Sequence, residues 1–100
     1  MSTLVVGTFE GDTAVFRRAL EERGDEFAAM GERARQAGCI HHRFGIGNGH
    51  VVVMDEWESA EQFERFFGDP ELQAFITSTG AIGGAPQLSF TEAISSPDEF

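Results

Sequence analysis

A histidine and an aspartate stand at matching distances on either side of a tight turn in the middle of the chain. The turn is the Gly-Asn-Gly segment at residues 47–49, and β-branched, apolar runs flank it. Asn-Gly favours a two-residue hairpin turn of type I′, in which both central residues need positive φ. That turn pairs His42 with Asp55. Because a carboxylate fixes the tautomer of an imidazole and raises its basicity, the pair predicts a general base.

Aromatic side chains surround this pair on the same face of the predicted hairpin. The register pairs Ile46 with Val51, Phe44 with Val53, and Ile40 with Trp57. An aromatic wall of this kind suits a flat apolar substrate. We therefore name His42, Asp55 and Trp57 as candidate catalytic residues. The alternative is structural: a hydrogen-bonded His–Asp pair in a dimer interface, with Trp57 as a core residue.

A second polar cluster occupies the opposite face of the same hairpin. Successive side chains of a strand point to opposite faces, so His41 lies across from Glu56, and Arg43 lies diagonal to it. This cluster is the second candidate site, or else an ordinary surface salt-bridge network. His41 and His42 point in opposite directions and cannot jointly bind a metal ion.

The composition excludes several classes of chemistry and of partner. The sequence has no Lys and no Tyr, one Cys and three His. This rules out a Schiff-base lysine, a tyrosine acid and a cysteine-rich zinc site. A net charge of −10 disfavours nucleic acid and anionic membrane surfaces. We expect no metal, no cofactor and, because Cys39 has no disulfide partner, a cytoplasmic protein.

The hydrophobic pattern predicts alternating strands and helices. In chain order these are a strand at residues 3–9, a helix at 13–37 that Gly24 kinks or interrupts, strands at 40–46 and 50–57, a helix that Ser59 caps and Asp69 restarts, a Gly-rich loop at 78–86 and a strand at 87–94. The order β-α-β-β-α-β predicts a ferredoxin-like α+β fold with an antiparallel four-stranded sheet. Residues 1–95 form one domain in this interpretation, and residues 96–100 form a frayed acidic tail.

The predicted sheet has apolar residues on both faces. Residues 51–53 (VVV) show this in the third strand, and one of its faces must meet the helices. An uncovered apolar face is costly in water, so a second copy of the sheet is the simplest cover. We therefore predict a homodimer.

Two segments resemble the antibiotic biosynthesis monooxygenase family of the dimeric α+β barrel superfamily. One is Gly-Cys-Ile at residues 38–40, which begins a strand after a long helix. The other is residues 51–59 (VVVMDEWES), which continues through Ala60 and Phe63 into residues 69–72 (DPEL). The resemblance implies a dimeric α+β barrel with a small cavity between sheet and helices in each subunit.

Aromatic residues are the candidates for binding an apolar or aromatic small molecule in that cavity. They also serve as core residues, and they are Phe16, Phe44, Phe63 and Phe66.

The resemblance also implies activities, including cofactor-free oxidation of polycyclic phenols to quinones, and haem breakdown. The haem-degrading branch uses an Asn, a Trp and a His. Here the Trp and His places align near Phe66 and Ile76, and the one Asn is Asn48 in the turn, which disfavours haem degradation. The quinone-forming branch uses a tyrosine that this chain lacks.

Three functions follow from these observations. The leading hypothesis is a small cofactor-independent enzyme, a monooxygenase acting on an aromatic or polyketide-like compound. The alternatives are a non-catalytic module that binds an apolar ligand and a structural dimer whose filled core leaves no cavity.

Overall fold

The helices and strands of the computed structural model, which describes residues 1–100, follow the predicted order. In sequence they are β1 (Thr3–Glu10), α1 (Thr13–Glu22), α2 (Gly24–Ala37), β2 (Cys39–Ile46), β3 (His50–Trp57), α3 (Ala60–Phe67), α4 (Pro70–Ser78) and β4 (Gln87–Glu92). The four strands form one antiparallel sheet in the order β2-β3-β1-β4. The predicted ferredoxin-like α+β fold is confirmed. None of the helices is both long enough and apolar enough to cross a membrane.

The first helical segment is interrupted rather than kinked. α1 ends and α2 begins around Arg23, whose φ of −122° and ψ of 31° leave the helical range. The next residue is Gly24, and glycine has a low helix propensity, which disfavours a continuous helix here. Asp12 caps α1, and Gly38 ends α2 with a left-handed φ of 119°.

The hairpin register of β2 and β3 is confirmed near the turn. Ile46 pairs with Val51, Phe44 with Val53 and His42 with Asp55. The predicted turn type is wrong, because Gly49 has a positive φ of 76° but Asn48 does not. A two-residue loop sets the same register whichever backbone class it adopts, so the pairing survives the error.

The predicted pairing of Ile40 with Trp57 is also wrong. Cys39 pairs with Trp57, and an irregularity between Cys39 and His41 leaves Ile40 as an extra residue. This β-bulge turns Cys39 into the core beside Val5 and leaves Ile40 exposed.

The last strand is shorter than predicted. β4 ends at Glu92, which pairs with Thr3, the first residue of β1. No strand residue remains on β1 to pair with a longer β4. Ile94, which the predicted strand included, lies beyond its end and is 83% exposed.

The sheet has one covered face and one open face. Val5, Phe9 and Trp57 are buried under the helices. The opposite face carries apolar side chains that remain accessible in the isolated chain, with Leu4 at 40% and Met54 at 59% exposure. The helices therefore cover one side of the sheet only.

The segment between α4 and β4 is anchored to the turn after β1. The Ala81 carbonyl accepts a hydrogen bond from the Asp12 N–H at 2.8 Å, and the Gly83 N–H donates to the Glu10 carbonyl at 2.9 Å. A Cβ at Gly11 would lie 1.9 Å from the Ala81 carbonyl oxygen, so the contact requires glycine. These bonds fix the segment that carries Ile82 toward the helix-covered face.

Cys39 is buried in the core with Val5, Ala34, Trp57 and Phe63. Burial, and secondarily the negative charge of Asp55, raises the pKa of the Cys39 thiol to about 11. The thiol donates to the His41 carbonyl at 3.2 Å. The protonated form of this side chain is therefore the one that the folded state prefers.

Thermal stability should fall as pH rises from 9 toward 11, the interval between the ordinary and the raised pKa of Cys39. The unfolded thiol loses its proton near the bottom of this interval and the folded thiol near the top, so the unfolded state binds fewer protons between them. The chain has no Lys and no Tyr, which leaves Cys39 as the one side chain expected to titrate there. We expect the Tm of the natural protein to decline across this range and that of Cys39→Ala to change less. Parallel Tm profiles would contradict the assignment.

Candidate active site

His42 and Asp55 form a hydrogen-bonded pair across the β2–β3 hairpin. Nδ1 of His42 lies 2.7 Å from Oδ1 of Asp55. A carboxylate can only accept a hydrogen bond, so Nδ1 donates and carries a proton. Nε2 is therefore the nitrogen of the neutral ring that can accept a proton.

A second donor holds the same carboxylate from within β3. The indole Nε1 of Trp57 donates to Oδ2 of Asp55 at 3.0 Å. Both carboxylate oxygens thus accept a hydrogen bond, and the Asp55 side chain is only 6% exposed while His42 is 38% exposed. The buried member of the pair is fixed, and the imidazole is accessible.

The pair lies on the wall of a cavity of about 500 Å³ between the sheet and the helices. This volume is within the range of small-molecule sites. Of the 24 lining residues, 19 are hydrophobic. All of the residues predicted to act or bind there line it: His42, Asp55, Trp57, Phe16, Phe44, Phe63 and Phe66.

Aromatic rings meet edge to face along the cavity. Phe44 lies 4.7 Å from the His42 ring and 5.1 Å from Phe16, measured between ring centroids. Phe27 and Phe75 continue this wall, with centroids 5.0 Å apart. Both residues fall within predicted helices, but the sequence gave no reason to assign them to the cavity, because that depends on how α2 and α4 are rotated.

The second candidate cluster does not assemble. The Glu56 carboxylate accepts a hydrogen bond from the Ser2 hydroxyl, and the structure has no hydrogen bond or ion pair among His41, Arg43 and Glu56. Alternation along β2 and β3 places His41 and Glu56 on the open face. Arg43, between His42 and Phe44 in the chain, contributes to the cavity lining.

The structure contains no convergent group of His, Cys, Asp or Glu side chains that could hold a metal ion. Phe66 and Ile76, which align with the Trp and His places of the haem-degrading branch, line the cavity with hydrocarbon. Neither supplies an atom that could bind iron.

Solved structures of several bacterial proteins share this fold. A monooxygenase of the ActVA-Orf6 gene of Streptomyces coelicolor, solved with nanaomycin D, aligns with a TM-score of 0.69 and 23% identity over 95% of this chain and 89% of that one. SnoaB of Streptomyces nogalater, a cofactor-independent oxygenase, aligns with a TM-score of 0.67 and 15% identity over 98% of each chain. Rv0793 of Mycobacterium tuberculosis aligns with a TM-score of 0.64 and 17% identity over 98% of this chain and all of its own.

Sequence comparison gives the family. A search of curated proteins finds no significant match. The family model for antibiotic biosynthesis monooxygenases matches residues 9–78. That span runs from the end of β1 through α4 and includes His42, Asp55 and Trp57. By this match over more than half of its length, the chain belongs to the antibiotic biosynthesis monooxygenase family.

Proposed function

We propose that this protein is a cofactor-independent monooxygenase that oxidises an aromatic compound, with His42 as its catalytic base. The observation that carries the proposal is the 2.7 Å bond between Nδ1 of His42 and Oδ1 of Asp55 on the wall of an apolar cavity. The family and the oxygenases of the same fold support the reaction class. The base replaces the tyrosine that this chain lacks.

The first step is removal of a proton from a phenolic hydroxyl by Nε2 of His42. The imidazolium that forms is stabilised by the negative charge of Asp55, which accepts the Nδ1–H bond. Asp55 is a positioning residue because it acts through His42. Trp57 is one too, since its indole N–H fixes the second carboxylate oxygen.

The overall reaction needs no external reductant. The phenolate is electron-rich and supplies the electrons that reduce O₂, the second substrate. A ring carbon loses its hydrogen and gains one oxygen atom of O₂ as a carbonyl. The other oxygen atom leaves as water, with that hydrogen and the hydroxyl proton, so a phenol and O₂ give a quinone and water.

The apolar wall contributes by excluding water from the reacting atoms. A dry site strengthens the electrostatic interaction between His42 and Asp55. It also holds a flat ring system by contact with aromatic edges such as Phe16 and Phe44.

The two alternatives make different demands on the same cavity. A structural dimer with a filled core would leave no cavity, so the cavity of about 500 Å³ argues against it. A non-catalytic binding module requires the cavity but not a base. The kinetic test below therefore decides between catalyst and binding module.

We further propose that the protein is a homodimer that packs the open faces of two sheets together. Leu4, Val6, Val52 and Met54 lie together on that face, on the adjacent strands β1 and β3. Apolar area of this kind is favourably removed from water by a second copy. A homodimer leaves the cavity, on the other face, accessible.

A cytoplasmic location is also proposed. Its support is the single Cys39, which is buried and has no partner for an internal disulfide. Reduced cysteines are usual in that compartment.

The dyad is tested by substitution, with oxygen uptake measured on anthrone, naphthol and hydroxypyrene. His42→Ala should lower kcat by about 10²–10⁴-fold, the usual contribution of a general base. Asp55→Asn should also lower kcat because the ring tautomer is no longer fixed. His50→Ala, at the hairpin turn away from the cavity, is the matched control and should leave kcat unchanged.

Two results would contradict this assignment. If His42→Ala lowers the Tm but leaves turnover per folded molecule intact, the pair is structural. If His41→Ala abolishes turnover and His42→Ala does not, the open face carries the chemistry.

The dimer is tested by placing a charge on the open face. The natural protein should sediment at about twice the chain mass of 10.9 kDa. Val52→Glu should shift it to a monomer or cause aggregation, because the carboxylate would be buried without a partner. Ala29→Glu adds the same charge to an exposed position of α2 and should remain dimeric. A natural protein that is monomeric at micromolar concentration would overturn the proposal.

A further inference from the structure

On the face of α2 that lines the cavity, one position has no side chain although the positions before and after it do. Phe27, Gly31 and Ala34 share one face of α2 at spacings of four and three residues, and all three line the cavity. Gly31 is the middle member. A Cβ built on it would meet no heavy atom within 4 Å. The wall of α2 therefore has a gap that opens on the cavity.

Packing does not explain glycine at this position. At Gly11 an added Cβ would overlap the Ala81 carbonyl, but at Gly31 there is open space and no positive φ. A glycine in the interior of a helix costs about 1 kcal/mol relative to alanine. Alanine would therefore fit at position 31 and would favour the helix. Its cost would be a reduction of the cavity volume beside α2.

Two neighbouring helices of the cavity wall, α2 and α4, are tied together. Arg33 of α2 donates to Asp69 at 2.9 Å and to Glu71 at 2.9 Å, at the start of α4. Leu72 and Phe75 of α4 line the cavity next to this link. An enlarged side chain at Gly31 is therefore expected to fill the cavity instead of pushing α2 away from α4.

We propose that Gly31 determines the size of the ring system that the cavity admits. The inference rests on the proposed function, in which a phenolic hydroxyl sits at His42 on the sheet wall. A fused ring system held there extends toward the helix wall, and the gap at Gly31 receives its far end. Small phenols leave the gap empty and larger ones require it.

The test compares binding of two fluorescent phenols, naphthol with two fused rings and hydroxypyrene with four, titrated without oxygen so that no turnover occurs. Gly31→Leu should weaken hydroxypyrene binding at least tenfold and change the Kd of naphthol less than twofold. Gly31→Ala should weaken hydroxypyrene binding severalfold and raise the Tm. This second variant adds one methyl group to open space, so it keeps the test valid if the leucine disturbs folding.

The matched control is Gly24→Leu, the same change on the same helix at an exposed position outside the cavity lining. It should bind both phenols as the natural protein does. The proposal is overturned if Gly31→Leu binds hydroxypyrene normally, if it loses both phenols equally, or if the natural protein binds neither. Failure of His42 as a base would leave these binding ratios unchanged, so the two proposals fail separately.

Discussion

The carboxylate of Asp55 is the one charged group among the buried side chains, and much of the site's architecture serves to satisfy it. An isolated carboxylate would be costly to bury, so donors must reach both oxygens. Trp57 supplies one from two residues along β3, and His42 supplies the other from β2. A slip of one residue between these strands would send His42 to the opposite face. The hairpin register is therefore the constraint on which the polar end of the cavity depends.

Counting from the turn was enough to predict this pairing. A two-residue loop between Gly47 and His50, which are joined by a backbone hydrogen bond, places His42 opposite Asp55 whichever turn class the backbone adopts. The wrong expectation for Asn48 therefore left the predicted pairing intact. The count failed farther out, at Ile40. A bulge depends on whether Cys39 fits among core side chains from β1, β3 and α3, and those contacts are distant in sequence.

The helix side of the cavity was less accessible to prediction. The hydrophobic pattern places Phe27 and Phe75 in predicted helices, but core and cavity lining look alike in such a pattern. What separates them is the rotation of each helix and the break at Arg23, and tertiary contacts fix both. The bond from Trp57 to Asp55 was missed for a related reason. Both residues were expected on one face, yet the ring orientation that brings Nε1 to the carboxylate depends on packing against Phe63 and Phe66.

Side chains alternate strictly along β3, so its odd and even positions face different surfaces. Val51, Val53, Asp55 and Trp57 line the cavity, while Val52, Met54 and Glu56 lie on the open face. Substitutions at odd positions therefore change the cavity wall and leave the open face intact, and the reverse holds for even positions. Insertion or deletion of a single residue in this strand would exchange the two sets at once. The gene can therefore diversify here by point substitution far more readily than by a change in length.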